Sequence, residues 1–220
     1  MLAMAQATTT DRTTPAADDR FDRPVLAKFE IRRGELADAA LATLGDLGYA
    51  RTSLREIAQK SDFSHGVLHY YFRDKAELIT FCVRRYKEGC VSRYDQIVAE
   101  SATAPDLATA FAEGLVATLR EDTAMHRLWY DLRCQAMFET DLAETVRDLD
   151  RQLENMILRV LERYAELARA ECVLSPAGAY AVFDGTFENA LHRHHHDSVQ
   201  AAELLRSEIP LLLAALIRGD

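Results

Sequence analysis

The sequence predicts an all-α chain, and three observations carry that prediction. Apolar residues recur at spacings of three and four through most of the 220 residues, the period of one helix face. No stretch of useful length alternates apolar and polar residues as a half-buried strand does. Only nine Gly and five Pro are present, too few for a protein built from many strands and tight turns.

Residues 1–24 are polar, Thr-rich and aperiodic, and are expected to form a flexible tail. Helical spacing begins near Lys28, with Ala37, Leu41 and Leu44 in one row and Leu36, Ala40 and Leu47 in its neighbour. Gly48 suits the left-handed residue that closes a helix. Gly45, inside the helix, costs about 1 kcal/mol relative to Ala. In TSLREIAQK, Ser53 and Glu56 fit an S-x-x-E capping box, with Thr52 as an alternative cap. After a break at Ser61–Phe63, Ser64 caps a second short helix running to about Phe72. Asp74 then caps a long helix to about Ala99, with Leu78, Cys82, Tyr86 and Tyr94 along one side. Pro105 opens the second half, where helices are expected near 106–120, 123–138, 141–169, 176–195 and 198–217. The last carries a seam of Val199, Ala202, Leu205, Ile209, Leu212 and Leu216, which Pro210 is expected to kink or break. The units are then a tail at 1–24, a three-helix unit at 25–74, a linking helix at 75–99 and a helical body at 100–220.

Apolar residues make up 49% of the chain and charged residues 28%, an ordinary globular balance. No apolar run approaches the ~18 residues of a membrane span. No basic segment followed by an apolar one marks a signal peptide, so a soluble, cytoplasmic protein is expected. Cys82, Cys90, Cys134 and Cys172 are scattered without a C-x-x-C pair and read as reduced thiols. The net charge of −9 excludes a wholly basic nucleic-acid coat. It is unevenly spread: Lys28 to Arg93 hold 12 Lys and Arg against 9 Asp and Glu, and the rest holds 14 against 26. A basic front and an acidic back suggest a division of labour.

Two short helices joined by about three residues and resting on a longer one make a helix-turn-helix. Ile57 and Ala58 face Phe63 and Leu68. With Leu68 and Phe72 turned inward, the outward arc of the second short helix is Gly66, Val67, His69 and Tyr70, with His65 at its start. The major groove of B-DNA admits one α-helix. Gly66 permits close backbone approach, and His and Tyr offer partners to phosphates and base edges. The candidate DNA-contacting set is Thr52, Ser53, Ser64, His65, Gly66, Val67, His69, Tyr70, Tyr71 and Lys75, the last placed for a phosphate.

The run GYARTSLREIAQKSDFSHGVLHYYFRDKAELI, with DAALATLGDL before it, resembles the DNA-binding domain of the TetR family of bacterial transcriptional repressors over residues 32–80. Asp62 stands where the family usually has Gly in the turn, and Asp tolerates a left-handed backbone. His69 and Tyr71 exchange the family's usual Tyr and His, and Leu44 replaces a common Phe. The resemblance implies a non-enzymatic homodimer without cofactors, paired through its last two helices and bound to a palindromic double-stranded DNA operator. It also implies a small effector in the C-terminal domain that shifts the linking helix and releases the DNA. The seam of 199–216 fits such a dimer interface, or a helix buried within one chain.

An effector pocket would lie between helices and be mostly apolar with a few polar groups. Candidates are His126, Trp129, Tyr130, Arg133 and Phe138 from one helix and Phe183 and Phe187 from another, with core packing as the alternative for Trp129, Phe138, Phe183 and Phe187. Arg133, on an otherwise apolar face, is costly to bury alone. It pairs with an internal acid such as Glu188, meets an anionic ligand, or points to solvent; an effector with an acidic or strongly polar end is the resulting expectation. In LHRHHHD, His192 and His196 are four apart and fit one metal ion from a single helix face, or sit as dipole partners at a helix end. Activation rather than repression, and an all-helical metal-binding protein using His192 and His196, are the alternative functions.

Overall fold

Helix ends fall where capping residues stand. In the computed structural model, which describes residues 19–49 and 52–219, α1 spans Asp19–Leu47, α2 Leu54–Gln59, α3 His65–Tyr71 and α4 Lys75–Glu100. The Ser53 hydroxyl accepts from Glu56 N–H at 3.2 Å and donates to the Glu56 carboxylate at 2.9 Å. Ser64 accepts from Val67 N–H at 3.3 Å, and Asp74 from Glu77 N–H at 2.8 Å. Each satisfies a donor that a helix start leaves orphaned. Thr52 is not the cap: it is buried and its hydroxyl donates to the Gly48 carbonyl at 2.6 Å. Gly48 has φ +74°, the left-handed closure of α1.

α1 starts at Asp19 rather than near Lys28 and takes in residues 19–24 of the expected tail. The remainder of that tail, 1–18, lies outside the described residues. Leu36, Ala37, Ala40 and Leu44 of α1 are fully buried with Ile57, Leu68, Leu78 and Ile79, the head's share of a core that continues into the body.

The body holds α5 (Ala104–Glu121), α6 (Thr123–Ala136), α7 (Thr140–Ala168), α8 (Pro176–His194) and α9 (Ser198–Ala215). A minimal antiparallel ribbon pairs β1 (Ala170–Cys172) with β2 (Ile217–Gly219), Glu171 opposite Arg218. Three residues per strand are too few to show alternation in sequence. The seam of α9 turns into its own chain: Ala202, Leu205 and Ile209 are fully buried between α5 and α8. This is the second of the two readings left open for it. α9 also continues through Pro210 to Ala215 without the expected break; proline removes one N–H donor, while buried Ile209 and Leu213 hold the turn on either side.

The glycine inside α1 has a packing reason. A Cβ on Gly45 would stand 2.5 Å from the Ala124 Cβ, so α1 and α6 meet there at a distance only Gly allows. α4 runs from head to body, and α1 against α6 makes a second junction. Among the described residues, no helix is long and apolar enough to cross a membrane.

Candidate nucleic-acid interface and effector cavity

α3 is held by its inward side. Leu68 and Phe72 are buried, the Phe72 ring packs 5.6 Å from Phe81, and the Arg33 guanidinium lies 4.8 Å and 4.5 Å over these two rings. Arg33 also pairs with Glu77 at 2.8 Å, tying α1 to α4 around that anchor. The outward side then falls to His65, Gly66, His69 and Tyr70, all exposed, Tyr70 at 73%. The His65 and His69 rings meet edge-on at 4.4 Å. A Cβ on Gly66 would find nothing nearer than the Ser64 hydroxyl at 4.0 Å.

Other members of the candidate set sit differently. Val67 is half-buried against the head core, and Tyr71 stacks on Phe29 of α1 at 4.8 Å. Ser53 and Ser64 are exposed but engaged in their caps, and Thr52 is only 3% exposed. Lys75 donates to the Tyr49 carbonyl at 3.0 Å and lies 4.3 Å over the Tyr49 ring, which leaves two of its three N–H donors. Asp62 does not use a left-handed backbone, since Arg169 is the only non-Gly residue with positive φ among the described residues. The Ser61 hydroxyl meets Phe63 N–H at 3.4 Å and supports the turn instead.

In the body, a cavity of about 60 Å³ lies between α4, α5, α6, α7 and α8. His126, Tyr130, Phe183 and Phe187, four of the seven effector candidates, line it. Trp129 does not; it is core, 1% exposed. Phe138 is 85% exposed beyond the end of α6. Arg133 does not line the cavity but stands behind Asp184, to which it donates at 2.6 Å, and 3.6 Å from Asp150, with Glu188 not its partner. Its charge is therefore paired within the chain. Tyr130 donates to Asp184 at 3.1 Å and Tyr180 to Asp150 at 2.9 Å. Burial, then the neighbouring aspartates, push both phenols up, so they stay protonated.

Lys87 was missed. It is 4% exposed, lines the cavity and lies 5.1 Å over the Trp129 ring. Burial pulls its pKa down to about 8. The signal was legible: Lys87 sits in the row Val83, Cys90, Tyr94, all three buried, where a helix carries its core face. His126 is held well below its usual pKa by burial and then by the Lys87 and Arg93 cations, so its ring is neutral.

A second missed feature joins cavity to head. Tyr49 N–H donates to the Asp131 carboxylate at 2.6 Å and its hydroxyl to Glu139 at 2.9 Å. α6 thus presents Tyr130 to the cavity and the adjacent Asp131 to the loop before α2. Contacts between residues 82 positions apart leave no local trace in a sequence.

α8 ends at His194, which puts His196 in the following turn, and His192 and His196 border the same surface cleft. Among the described residues, no three His, Cys, Asp or Glu side chains gather as a metal site would need.

A packed three-helix head that frees one face of a short helix, carried on a helical body with a small cavity, defines a helix-turn-helix DNA-binding regulator. Residues 36–80 match the family model for bacterial regulatory proteins of the tetR family. The chain is 29% identical over 196 residues to the HTH-type transcriptional regulator BetI of Burkholderia mallei, covering 87% of this chain and 98% of that one. It is 26% identical over 188 residues to BetI of Cronobacter sakazakii, covering 84% and 92%. A TetR transcription regulator from Haloarcula marismortui has a similar fold, with a TM-score of 0.69 at 17% identity over 86% of this chain and 100% of that one. Residues 36–80 thus match the tetR-family DNA-binding domain, and the chain is similar over most of its length to helix-turn-helix transcriptional regulators.

Proposed function

We propose that the protein is a homodimeric repressor whose two α3 helices bind a palindromic operator and are released when a small effector fills the body cavity. On this reading residues 25–74 read DNA, 75–99 link, and 100–220 bind effector and pair. The observation that carries it is the outward face of α3, where His65, Gly66, His69 and Tyr70 are exposed while the opposite face is buried. His65 and His69 suit base edges, and Tyr70 with the free donors of Lys75 suits phosphate oxygens.

Release has a physical route. Tyr130 faces the cavity and Asp131 holds Tyr49, so a ligand that turns or shifts α6 moves the loop that positions α2 and α3. Support for pairing comes from α8, whose Ala177, Ala181 and Gly185 are exposed at four-residue spacing, and from exposed Leu211 on α9. Small side chains let a second copy approach closely, unlike the buried seam first considered.

The test is to capture genomic fragments with the purified protein and measure binding to the recovered duplex by fluorescence anisotropy. Wild-type protein should bind as a two-fold complex, and Lys75→Ala should lower the salt slope by about one counterion. His65→Ala should change the preferred bases in a selection from random duplexes. A protein that sediments as a monomer and captures no fragment would remove the reading.

A further inference from the structure

A lysine in an apolar cavity is unfavourable unless acceptors replace its lost water. The nearby carboxylates do not serve Lys87. Asp184 accepts from Tyr130 at 3.1 Å and Arg133 at 2.6 Å; Asp150 accepts from Tyr180 at 2.9 Å and lies 3.6 Å from Arg133. The Lys87 ammonium instead lies over Trp129 at 5.1 Å and Tyr86 at 5.8 Å. Ring faces stabilise its charge but accept none of its three N–H bonds. His126, on the same cavity, meets Tyr86 through Nε2 at 3.0 Å and keeps a buried Nδ1 without a partner. Most of the remaining wall is apolar, with Phe111, Leu153 and Phe187 among its residues, and its one carboxylate, Asp184, is paired with Arg133.

We propose that this cavity takes a short-chain carboxylate, its head accepting from the Lys87 ammonium and facing His126, its tail against Phe111, Leu153 and Phe187. This rests on reading the cavity as the effector site and names the chemical class that fills it. Lys87 keeps its proton at neutral pH, being pulled only to about 8, and a charge-assisted bond to an anion is stronger than one to a neutral carbonyl. Size sets a limit as well. A cavity of about 60 Å³, at roughly 10–15 Å³ for each water-sized sphere, holds a body of about four to six heavy atoms. The aromatic walls alone would suit a quaternary ammonium, but such a cation would sit beside another cation.

Isothermal titration calorimetry on the full chain without DNA, at pH 7 and constant ionic strength, tests this with butyrate, butyramide, tetramethylammonium and the straight-chain series from acetate to octanoate. Butyrate should bind about tenfold tighter than butyramide, with affinity peaking at propionate or butyrate and falling in the longer acids. Lys87→Met should remove the preference for the carboxylate; should that variant not fold, the butyrate-to-butyramide ratio of the wild type decides. Equal or tighter binding of butyramide or tetramethylammonium, a folded Lys87→Met protein that keeps the preference, or no binding by any carboxylate would overturn the proposal. A carboxylate that binds here yet leaves DNA affinity unchanged supports it and refutes effector-driven release.

Discussion

The head and the body are both bundles of amphipathic helices with local caps, yet the body adds a polar network between distant helices beside its cavity. In the head, Ser53, Ser64 and Asp74 each cap a helix within three residues of themselves. In the body, Arg133 reaches Asp184 across 51 positions, and Tyr180 reaches Asp150 across 30. Local satisfaction fixes a shape that stands before anything binds, which suits a rigid reader. The long-range pairs of the body depend on how its helices pack, and Lys87 has no hydrogen-bond acceptor among the described residues. The difference separates a preformed surface from an adjustable cavity.

The largest effect should come from the head's anchor. Phe72→Ala removes a ring that is 1% exposed and carries Phe81 and Arg33, and should cost about 3–5 kcal/mol. Thermal unfolding followed by circular dichroism measures it. A midpoint like that of the wild type would mean α3 is not fixed by its inward side, and the head would be no more preformed than the body.

Lys87→Met should sharpen the comparison by stabilising the body. In the folded chain Lys87 titrates at about 8 against an ordinary 10.5. Between those values the unfolded chain binds more protons, so wild-type stability from this group rises with pH across that window. Below it the buried charge costs a constant amount, on the order of 3 kcal/mol. Cys90, Asp184, Arg133 and Asp150 act on this lysine, and His126, beside it, is neutral. The Met variant should therefore exceed the wild type at pH 7, and the gap should close towards pH 10 in denaturant titrations. A gap that stays constant with pH would show that the lysine is not strained by burial.

Asp131→Asn weakens the acceptor of Tyr49 N–H at the junction of the two regions, a change of about 1–2 kcal/mol. DNA affinity should survive while the response to effector shrinks, as read by anisotropy with and without ligand. An undiminished response would place the coupling elsewhere, along α4. The smallest change is at Arg169, whose φ of 56° closes α7. Gly at this position should raise stability by about 0.5–1 kcal/mol, visible as a small increase in unfolding midpoint with no effect on DNA binding.

The same contrast explains what could be read without coordinates. Capping residues, the Gly48 closure and the inward pair Leu68 and Phe72 are local signals, and the head followed from them. The helix boundaries of the body were also legible, since each carries its apolar period. Its site was not. His126, Tyr130, Phe183 and Phe187 reached the cavity, but Phe138 faces solvent and Arg133 found Asp184 rather than a ligand. Which acid neutralises an arginine depends on packing between helices far apart in the chain, and no spacing rule contains that. The α9 seam left two readings open for a related reason: a period shows that a face is buried, not which neighbour buries it.

The central claim is that the outward face of α3 docks on duplex DNA, and Tyr70→Ala tests it most directly. Tyr70 is 73% exposed, so its loss should leave the unfolding midpoint unchanged. Anisotropy titration of a captured genomic duplex should give a dissociation constant weaker by about tenfold, the scale of one lost polar contact. A folded Tyr70→Ala protein that binds this duplex as tightly as the wild type would contradict the account.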